Sequence, residues 1–276
     1  MRLQGFDISG KNAVVTGGSM GLGYAMTGGL LDTGATVLIS GRTLSSLQEA
    51  AARLEREHDA KGRVLVETVD LYDPQDVDAF SKKVLERTGG VDIFIGNAGA
   101  VHAEQIGQIT RDTAERALQL NLLSNIFLVQ AFLPHMRAKK WGRIIFSSST
   151  ASLLCAPLQG NIVYAASKSG INAFTRSIAG DIGRDGVTLN SLIIGVFWTS
   201  ILEGVVADMK SQGAGDAADQ MVRNFEIMTA AGRLGNPKEL CGIVQLLASD
   251  AGSYMTGLTI PVDGGASIMM GPHPLG

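Results

Sequence analysis

Short apolar runs and longer amphipathic stretches alternate along most of the chain. The short runs are rich in Val, Ile and Leu and end at glycine or small polar residues, as buried strands do. The longer stretches repeat apolar residues every three or four positions, which predicts helices. The predicted strands are 11–16, 35–40, 63–69, 91–96, 141–148, 187–193 and 258–262, and the predicted helices include 22–32, 44–60, 110–136 and 236–248, with others beginning at Pro74 and carrying Tyr164. This alternation predicts a parallel sheet with helices on both faces.

The first predicted strand leads into a glycine-rich turn, residues 16–23, with the sequence TGGSMGLG. Glycines allow a tight turn and let a pyrophosphate approach the free N–H groups at the start of the next helix. The spacing G-x-x-x-G-x-G differs from the commonest dinucleotide fingerprint. The alternative is a turn that only reverses the chain, and the position between a strand and a helix favours the phosphate cradle. Gly28 and Gly29 follow inside the helix, where each costs up to about 1 kcal/mol relative to Ala, and close packing is one reason for them.

Charge and cysteine content exclude several classes of function. The 23 Lys and Arg and 26 Asp and Glu residues leave a net charge of -3, and no basic run offers a nucleic-acid surface. Cys155, Cys241 and four scattered histidines supply neither a disulfide framework nor a metal site. No apolar run approaches 18 residues, and residues 1–11 do not resemble a signal peptide. We expect a soluble, cytoplasmic protein with no metal, membrane or nucleic-acid partner.

Tyr164 and Lys168 are the first candidates for catalysis. They lie four residues apart, so they share one face of the predicted helix. A phenol with a pKa of about 10 becomes a base near neutral pH only if its anion gains about 4 kcal/mol of stabilisation. A lysine one turn away supplies part of it. An ordinary amphipathic helix with an exposed Tyr and Lys is the alternative for so short a pattern.

Polar residues also interrupt or end other apolar segments. Asn121 lies within the apolar run 118–132, where a buried amide must find a partner, and a neighbouring backbone group is the usual one. The fifth predicted strand ends in three serines, residues 147–149, which are common turn formers as well as hydrogen-bond donors. Because ligands of parallel α/β sheets bind at the carboxyl ends of the strands, these ends form the predicted site.

The order of these motifs resembles that of the short-chain dehydrogenases/reductases, including 3-oxoacyl-carrier-protein-reductase-like members. The matching motifs are residues 16–23, Asp70, Asn97-Ala98-Gly99, Asn121, Ser149, Tyr164-x-x-x-Lys168 and the closing Asp263-Gly264-Gly265. The resemblance implies a single doubly wound, Rossmann-type α/β domain over 1–276, with a seven-stranded parallel sheet and a substrate lid at about 198–231. It also implies a nicotinamide cofactor and a homotetramer.

The resemblance further implies a role for each matching residue. Tyr164 is the expected acid/base, Lys168 holds the nicotinamide ribose and depresses the tyrosine pKa, Ser149 hydrogen-bonds the carbonyl, and Asn121 fixes a water. A proton donor and a hydrogen bond on one side suit the oxygen that hydride transfer leaves. The cofactor contacts implied are Gly17, Ser19, Met20, Gly21, Leu22, Gly23, Arg42, Asp70, Leu71, Asn97, Ala98, Gly99, Tyr164, Lys168, Gly195, Phe197 and Thr199.

Two departures from the family pattern affect these assignments. Ser149 precedes Tyr164 by fifteen residues, slightly more than is usual, so Ser148 is the alternative carbonyl contact. Ile194 stands before Gly195 where the family has proline, while Thr199 persists. Phe197 and Thr199 are therefore expected to contact the cofactor from a looser turn.

Apolar residues near these motifs are candidates for the substrate pocket. They are Met209, Met221, Phe225 and Met228 in the lid and Leu153, Leu154, Cys155 and Leu158 before Tyr164. Flexible Met side chains suit an adaptable pocket, although core filling and loop packing are the commoner uses.

Gly41 and Arg42 indicate which cofactor is used. NAD-selecting proteins place an acidic residue after the second strand, where this chain has glycine followed by an arginine suited to a 2′-phosphate. Ser19 and Met20 add no second positive charge, and a solvated loop cation is the alternative. The sequence thus favours an NADP(H)-dependent oxidoreductase that interconverts ketones and secondary alcohols. An NAD-dependent sugar, polyol or hydroxysteroid-type dehydrogenase and a non-catalytic binding module are the alternatives.

Overall fold

Seven parallel strands form one sheet in the computed structural model of the protein, which describes residues 5–101, 105–153 and 161–269. The strands are β1 (Asn12–Thr16), β2 (Thr36–Gly41), β3 (Val64–Thr68), β4 (Ile93–Gly96), β5 (Gly142–Ser149), β6 (Val187–Ile194) and β7 (Thr259–Val262). Their order across the sheet is β3-β2-β1-β4-β5-β6-β7, so the winding direction reverses between β1 and β4. The predicted doubly wound sheet is confirmed, and ligands of such sheets bind beside that reversal.

Helices cover both faces of this sheet. They are α1 (Gly21–Asp32), α2 (Leu44–Glu57), α3 (Pro74–Thr88), α4 (Arg111–Leu118), α5 (Ser124–Lys139), α6 (Ile162–Ile182), α7 (Ser200–Ser211), α8 (Gly215–Ile227) and α9 (Cys241–Leu247). Two apolar cores result, one containing residues of α1, α2 and α9 and the other residues of α3, α5 and α6.

The alternation of side chains along each strand divides the strand residues between these cores. In β1, Ala13 and Val15 face the α1 side, while Val14 faces the α3 side with Phe94 of β4. The ring of Phe94 packs edge-on against Phe132 of α5, with ring centroids 5.4 Å apart. Both sheet faces are buried, which explains why the strands are almost purely apolar.

The glycines inside α1 allow neighbouring elements to approach closely. A Cβ on Gly28 would lie 2.5 Å from Nε2 of His58 at the end of α2, and one on Gly29 would lie 3.2 Å from Cα of Cys241 in α9. The packing explanation for these helix-weakening residues is therefore confirmed.

The segment predicted as one helix over 110–136 is divided by a π-helical turn, Gln119–Leu123, between α4 and α5. The whole stretch Arg111–Lys139 has the length and hydropathy of a membrane span, but 56 % of its most apolar window is buried inside the protein. Packing of α5 against β5 and α3 accounts for that hydropathy. A long, apolar helical stretch that is mostly buried is common in the cores of globular proteins.

Other predicted boundaries shift slightly. Pro74 begins α3 as predicted, and the Asp73 side chain before it accepts a hydrogen bond from the Gln75 N–H at 2.8 Å. The helix predicted over 236–248 begins instead as a 3₁₀ turn, Pro237–Leu240, and continues as α9. The predicted lid contains α7 and α8, which pack against each other.

Candidate active site

A cavity of about 700 Å³ lies at the carboxyl ends of the strands, beside the reversal between β1 and β4. It is bounded by the segments that follow β1 to β6 and by the beginnings of α6 and α7. The predicted cofactor residues that line it are Gly17, Ser19, Met20, Gly21, Leu22, Gly23, Arg42, Asp70, Leu71, Asn97, Ala98, Gly99, Tyr164, Lys168, Gly195, Phe197 and Thr199. Ser149 also lines it, whereas Asn121 does not. One concave site therefore brings together nearly every predicted site residue.

The glycine turn forms one wall of the cavity in a shape that only glycine permits. Gly17 and Gly21 have φ angles of +66° and +55°. A Cβ on Gly23 would collide with the carbonyl oxygen of Gly17. The N-cap residue Met20 makes no side-chain hydrogen bond to the first N–H groups of α1. Such a helix start attracts phosphate.

Thr16 ties this turn to the end of β4. Its hydroxyl oxygen accepts hydrogen bonds from the N–H groups of Asn97 and Ala98 at 3.0 and 3.1 Å. The Asn97 amide in turn donates to the carbonyl oxygens of Thr16 and Gly17 at 3.0 and 3.3 Å. The Asn97 amide nitrogen thus holds the turn in place. Thr16 was not among the predicted site residues, although its position directly before two glycines at a strand end was a usable signal.

Ser149 and Tyr164 form the polar centre at the other end of the cavity. Ser149 is the last residue of β5, and its hydroxyl lies near enough to that of Tyr164 to lower the tyrosine pKa. The Ser149 Oγ itself accepts a hydrogen bond from the Ala151 N–H at 3.2 Å. Ser148 points to the opposite face of the strand, where its hydroxyl donates to the Lys168 carbonyl oxygen at 3.3 Å. The alternation along β5 therefore brings Ser149 to the tyrosine, as the sequence analysis preferred.

Lys168 lies behind this pair. Its Nζ donates to the carbonyl oxygen of Ser147 at 2.7 Å and lies 5.7 Å from the centre of the Tyr164 ring. The side chain is only 4 % exposed, and burial lowers its pKa from 10.5 to about 8. A substantial share of Lys168 therefore remains protonated near neutral pH.

Burial raises the pKa of Tyr164, and the nearby Ser149 hydroxyl offsets only part of the rise. In the isolated chain the Lys168 ammonium donates to the Ser147 carbonyl oxygen and is not among the causes of the shift. A lowering of the tyrosine pKa by Lys168 stays a prediction. Because its pKa is raised, Tyr164 is protonated at neutral pH and is placed to give up a proton.

Asn121 lies in the π turn and is fully buried behind Gly99. Its Oδ1 accepts from the Ala100 N–H at 3.0 Å, and its Nδ2 donates to the Ala100 carbonyl oxygen at 3.1 Å. The Asn121 amide thus hydrogen-bonds a nearby backbone group, the alternative that the sequence left open beside the role of holding a water. Its own carbonyl oxygen accepts from the Asn125 amide at 3.1 Å. Asn121 fixes the segment that follows β4.

The segment after β6 approaches the cavity mainly through its backbone. A Cβ on Gly195 would lie 2.7 Å from Cα of Asp263, so glycine is needed where β6 and the end of β7 come together. The ring of Phe197 is buried in the core against Gly235. The predicted contact by Phe197 is therefore limited to its backbone. Thr199 caps α7, with its hydroxyl accepting from the Leu202 N–H at 3.4 Å.

Arg42 and Asp70 line the far end of the cavity, after β2 and β3. Both residues are exposed. Oδ1 of Asp70 accepts a hydrogen bond from the Tyr72 N–H at 3.1 Å, which shapes the turn after β3. Within residues 5–101, 105–153 and 161–269, no group of three His, Cys, Asp or Glu side chains could hold a metal ion.

The predicted lid segment contributes apolar residues to the cavity, and most of them differ from the predicted ones. Phe225 lines the cavity as proposed, but Met209, Met221, Met228 and Leu153 do not. Ile201, Leu202 and Val205 of α7 line it instead. The spacing of these apolar residues directly after Thr199 could have identified them as cavity residues from the sequence. Leu154, Cys155 and Leu158 lie outside the described residues.

Comparison with known proteins gives matches over nearly the whole chain. The family model described as short chain dehydrogenase matches residues 11–210. The L-rhamnose 1-dehydrogenase (NADP(+)) of Thermoplasma acidophilum is 33 % identical over 95 % of this chain and 98 % of its own. The 3-oxoacyl-[acyl-carrier-protein] reductase of Vibrio cholerae is 31 % identical over 94 % and 98 %. The structure of L-sorbose reductase from Gluconobacter frateurii, complexed with NADPH and L-sorbose, has a TM-score of 0.89 at 28 % identity and covers 97 % of this chain and all of that one.

Proposed function

The chain belongs to the short chain dehydrogenase family, and we propose from this premise that it transfers hydride between NADP(H) and a ketone or the matching secondary alcohol. The observation that carries the proposal is that the Ser149 and Tyr164 side chains line one end of the same cavity, with Lys168 behind them. This is a proton donor and a carbonyl contact on one side of a concave site.

The cavity fits a nicotinamide dinucleotide. The Gly17–Gly23 turn is shaped by glycines whose Cβ atoms would fill it, and the helix start beside it suits a pyrophosphate. Asp70 and Leu71 suit the adenine end, Asn97 to Gly99 the ribose, and Gly195 to Thr199 the carboxamide. The bound nucleotide supplies the hydride for reduction or accepts it in oxidation.

In the direction of reduction, Tyr164 donates its proton to the substrate oxygen. The raised pKa of Tyr164 keeps that proton in place at neutral pH. Ser149 hydrogen-bonds the same oxygen and stabilises the charge that develops there. Lys168 holds the positive charge next to the tyrosine, and Asn121 keeps Gly99 and Ala100 in position.

NADP(H) is proposed as the preferred cofactor, with NAD(H) as the alternative. Arg42 lines the adenosine end, and Gly41 leaves the adjacent position without a carboxylate that would repel a 2′-phosphate. The name of the relative from T. acidophilum and the NADPH complex of the sorbose reductase are consistent with this choice. Sugar dehydrogenation, as in the rhamnose relative, and a non-catalytic binding role are the competing functions.

The test measures absorbance at 340 nm while the protein and NADPH are incubated with a panel of ketones. Tyr164→Phe should abolish turnover but leave the affinity for NADPH, measured by its fluorescence, nearly unchanged. Tyr254→Phe is the matched control, because Tyr254 is fully exposed and lies away from the cavity. Wild-type-like turnover by Tyr164→Phe would show that the proton comes from elsewhere.

The proposal also covers the domain organisation, location and oligomeric state of the enzyme. We expect residues 198–231 to act as the substrate lid of a single domain that spans 1–276, and we expect a cytoplasmic location. We also expect a homotetramer, since Leu123 and Phe127 of the Arg111–Lys139 stretch expose 38 % and 45 % of their surface in the isolated chain. Light scattering at micromolar concentration should give four times the chain mass of 28.9 kDa.

A further inference from the structure

Apolar side chains form one wall of the cavity. α7 contributes Ile201, Leu202 and Val205 to this wall, and α8 contributes Phe225. Because α7 follows β6, the strand next to β5, the strand order puts this wall on the Ser149 side of the cavity. Ile201 and Val205 are one helical turn apart, so both project from the same face of α7. Val101, after β4, continues the apolar lining.

Several of these side chains are exposed in the isolated chain. Ile201 is 63 % exposed, Val101 is 52 % exposed and Val205 is 44 % exposed. Large aliphatic side chains that share one concave site and remain exposed indicate a ligand that covers them. A ligand gains affinity from them only through apolar surface of its own.

Two of the three described charged side chains of the cavity lie at its other end. Within the described ranges, the charged side chains that line the cavity are Arg42, Asp70 and Lys168. Arg42 and Asp70 follow β2 and β3, which are three and four strands away from β5 and hence about 14 and 19 Å from Ser149. The Lys168 ammonium is bound to the Ser147 carbonyl oxygen.

Among the described residues, Lys168 is the one cation that lines this end, and its ammonium already donates to the Ser147 carbonyl oxygen. A substrate carboxylate or phosphate therefore finds no second cation there in the described residues. The side chains with hydroxyl groups that line the cavity there belong to Ser147, Ser148, Ser149, Tyr164 and Thr199. The hydroxyls of Ser147 and Ser148 already donate to Asn97 Oδ1 and to the Lys168 carbonyl oxygen, and that of Thr199 caps α7. Several sugar hydroxyls placed against this wall would lose their bonds to water without replacement, which is costly.

We infer that the substrate is an uncharged ketone, or the matching secondary alcohol, whose carbonyl carries alkyl or hydrocarbon-ring substituents. This inference rests on the proposed function and separates the chain from relatives named for sugars or sugar acids, such as the rhamnose dehydrogenase and the gluconate 5-dehydrogenase. Ile201 and Val205 determine this specificity. They bind the hydrocarbon part while Ser149 and Tyr164 bind the oxygen.

The experiment compares kcat/KM with NADPH for 2-butanone, 2-hexanone and 2-octanone, with L-sorbose as the hydroxylated comparator. Each added methylene should raise kcat/KM about fourfold, which corresponds to about 0.8 kcal/mol of apolar burial. Sorbose should be a far poorer substrate than 2-octanone.

Val205→Thr replaces a methyl group by a hydroxyl of similar size, and Ile201→Thr replaces an ethyl group by a hydroxyl. Both changes should flatten the chain-length dependence. Ile268→Thr is the matched control, since Ile268 is also largely exposed but does not line the cavity. A kcat/KM that is independent of chain length, or highest for sorbose, would overturn the inference while leaving the proposed function standing.

Absence of turnover with every compound would instead count against the proposed function. The binding preference is then decided separately, from the rise in Tm of the protein mixed with NADPH on addition of 2-octanol or sorbitol. A larger rise with 2-octanol, lost in Ile201→Thr and kept in Ile268→Thr, supports the apolar site. An equal rise with both compounds, or a larger one with sorbitol, refutes it.

Discussion

Replacing Lys168 by methionine should stabilise the fold while it destroys activity. The ammonium is 4 % exposed and sits in a region that lowers its pKa from 10.5 to about 8. Burial disfavours the charged form, so the folded state releases this proton more easily than the unfolded state does. Below pH 8 the charge must be kept inside the protein, and that lowers the free energy of unfolding. Methionine has similar length and no charge.

The magnitude follows from the pKa change. A fall from 10.5 to about 8 costs about 3 kcal/mol of folding stability at pH 7. Between pH 8 and 10.5 the unfolded state binds the proton and the folded state does not, so the stability of the wild type rises with pH. The advantage of Lys168→Met should therefore narrow by about 2 kcal/mol between pH 7 and pH 9.5.

Equilibrium urea unfolding of both proteins at fixed protein concentration and at these two pH values measures the effect. Lys82→Met, an exposed position on α3, is the control and should change stability by less than about 0.5 kcal/mol at either pH. The reasoning fails if Lys168→Met is less stable than the wild type at pH 7, or if the difference between the two proteins does not depend on pH. In the first case the bond to the Ser147 carbonyl would outweigh the cost of burying the charge.

Three other changes test separate parts of the site. Ser149→Ala should lower kcat by about 10²- to 10³-fold through loss of a hydrogen bond to the substrate oxygen. Ser148→Ala should leave kcat close to that of the wild type. Steady-state kinetics that give the reverse order would move the carbonyl contact to Ser148. The wild type should prefer NADP(H) about ten- to hundredfold in kcat/KM, because one charge-assisted bond contributes about 1.5–3 kcal/mol. Gly41→Asp combined with Arg42→Ala should reverse this preference. A wild type that favours NAD(H) in kcat/KM would show that Arg42 does not bind the 2′-phosphate. The rate of alcohol oxidation should rise with pH, because this direction needs the Tyr164 phenolate and the pKa of Tyr164 is raised. The rate of ketone reduction should fall above about pH 8, as Lys168 loses its proton. Identical pH profiles for the two directions would contradict these assignments.

Much of the fold was predictable because both faces of the sheet are buried. Strands such as β4 then consist of consecutive apolar residues, and each ends where the backbone leaves the core. The polar and glycine residues at those ends meet at one edge of the sheet, whatever the details of the loops. For that reason Gly17, Asn97 and Ser149 could be assigned to one site from their positions alone.

The partners of individual side chains were harder to predict. The π turn depends on which backbone group the Asn121 amide reaches, and Ala100 is distant in sequence. The burial of the Phe197 ring depends on Gly235, which leaves room for it. The apolar face of α7 was missed because hydropathy does not reveal whether a side chain faces the core or a ligand.

The pKa values of Tyr164 and Lys168 show why the sequence pattern alone was insufficient. Four-residue spacing places the two side chains on one helix face, but it does not determine what else the ammonium contacts. Gly99 lets the Nζ of Lys168 come close to the segment after β4, since a Cβ there would lie 3.2 Å from it, and the Ser147 carbonyl then takes its hydrogen bond. Burial keeps the proton on Tyr164, and the nearby Ser149 hydroxyl offsets only part of that effect. Reduction of a ketone consumes this proton, whereas oxidation of an alcohol requires the phenolate, so the same burial acts in opposite senses on the two directions of the reaction.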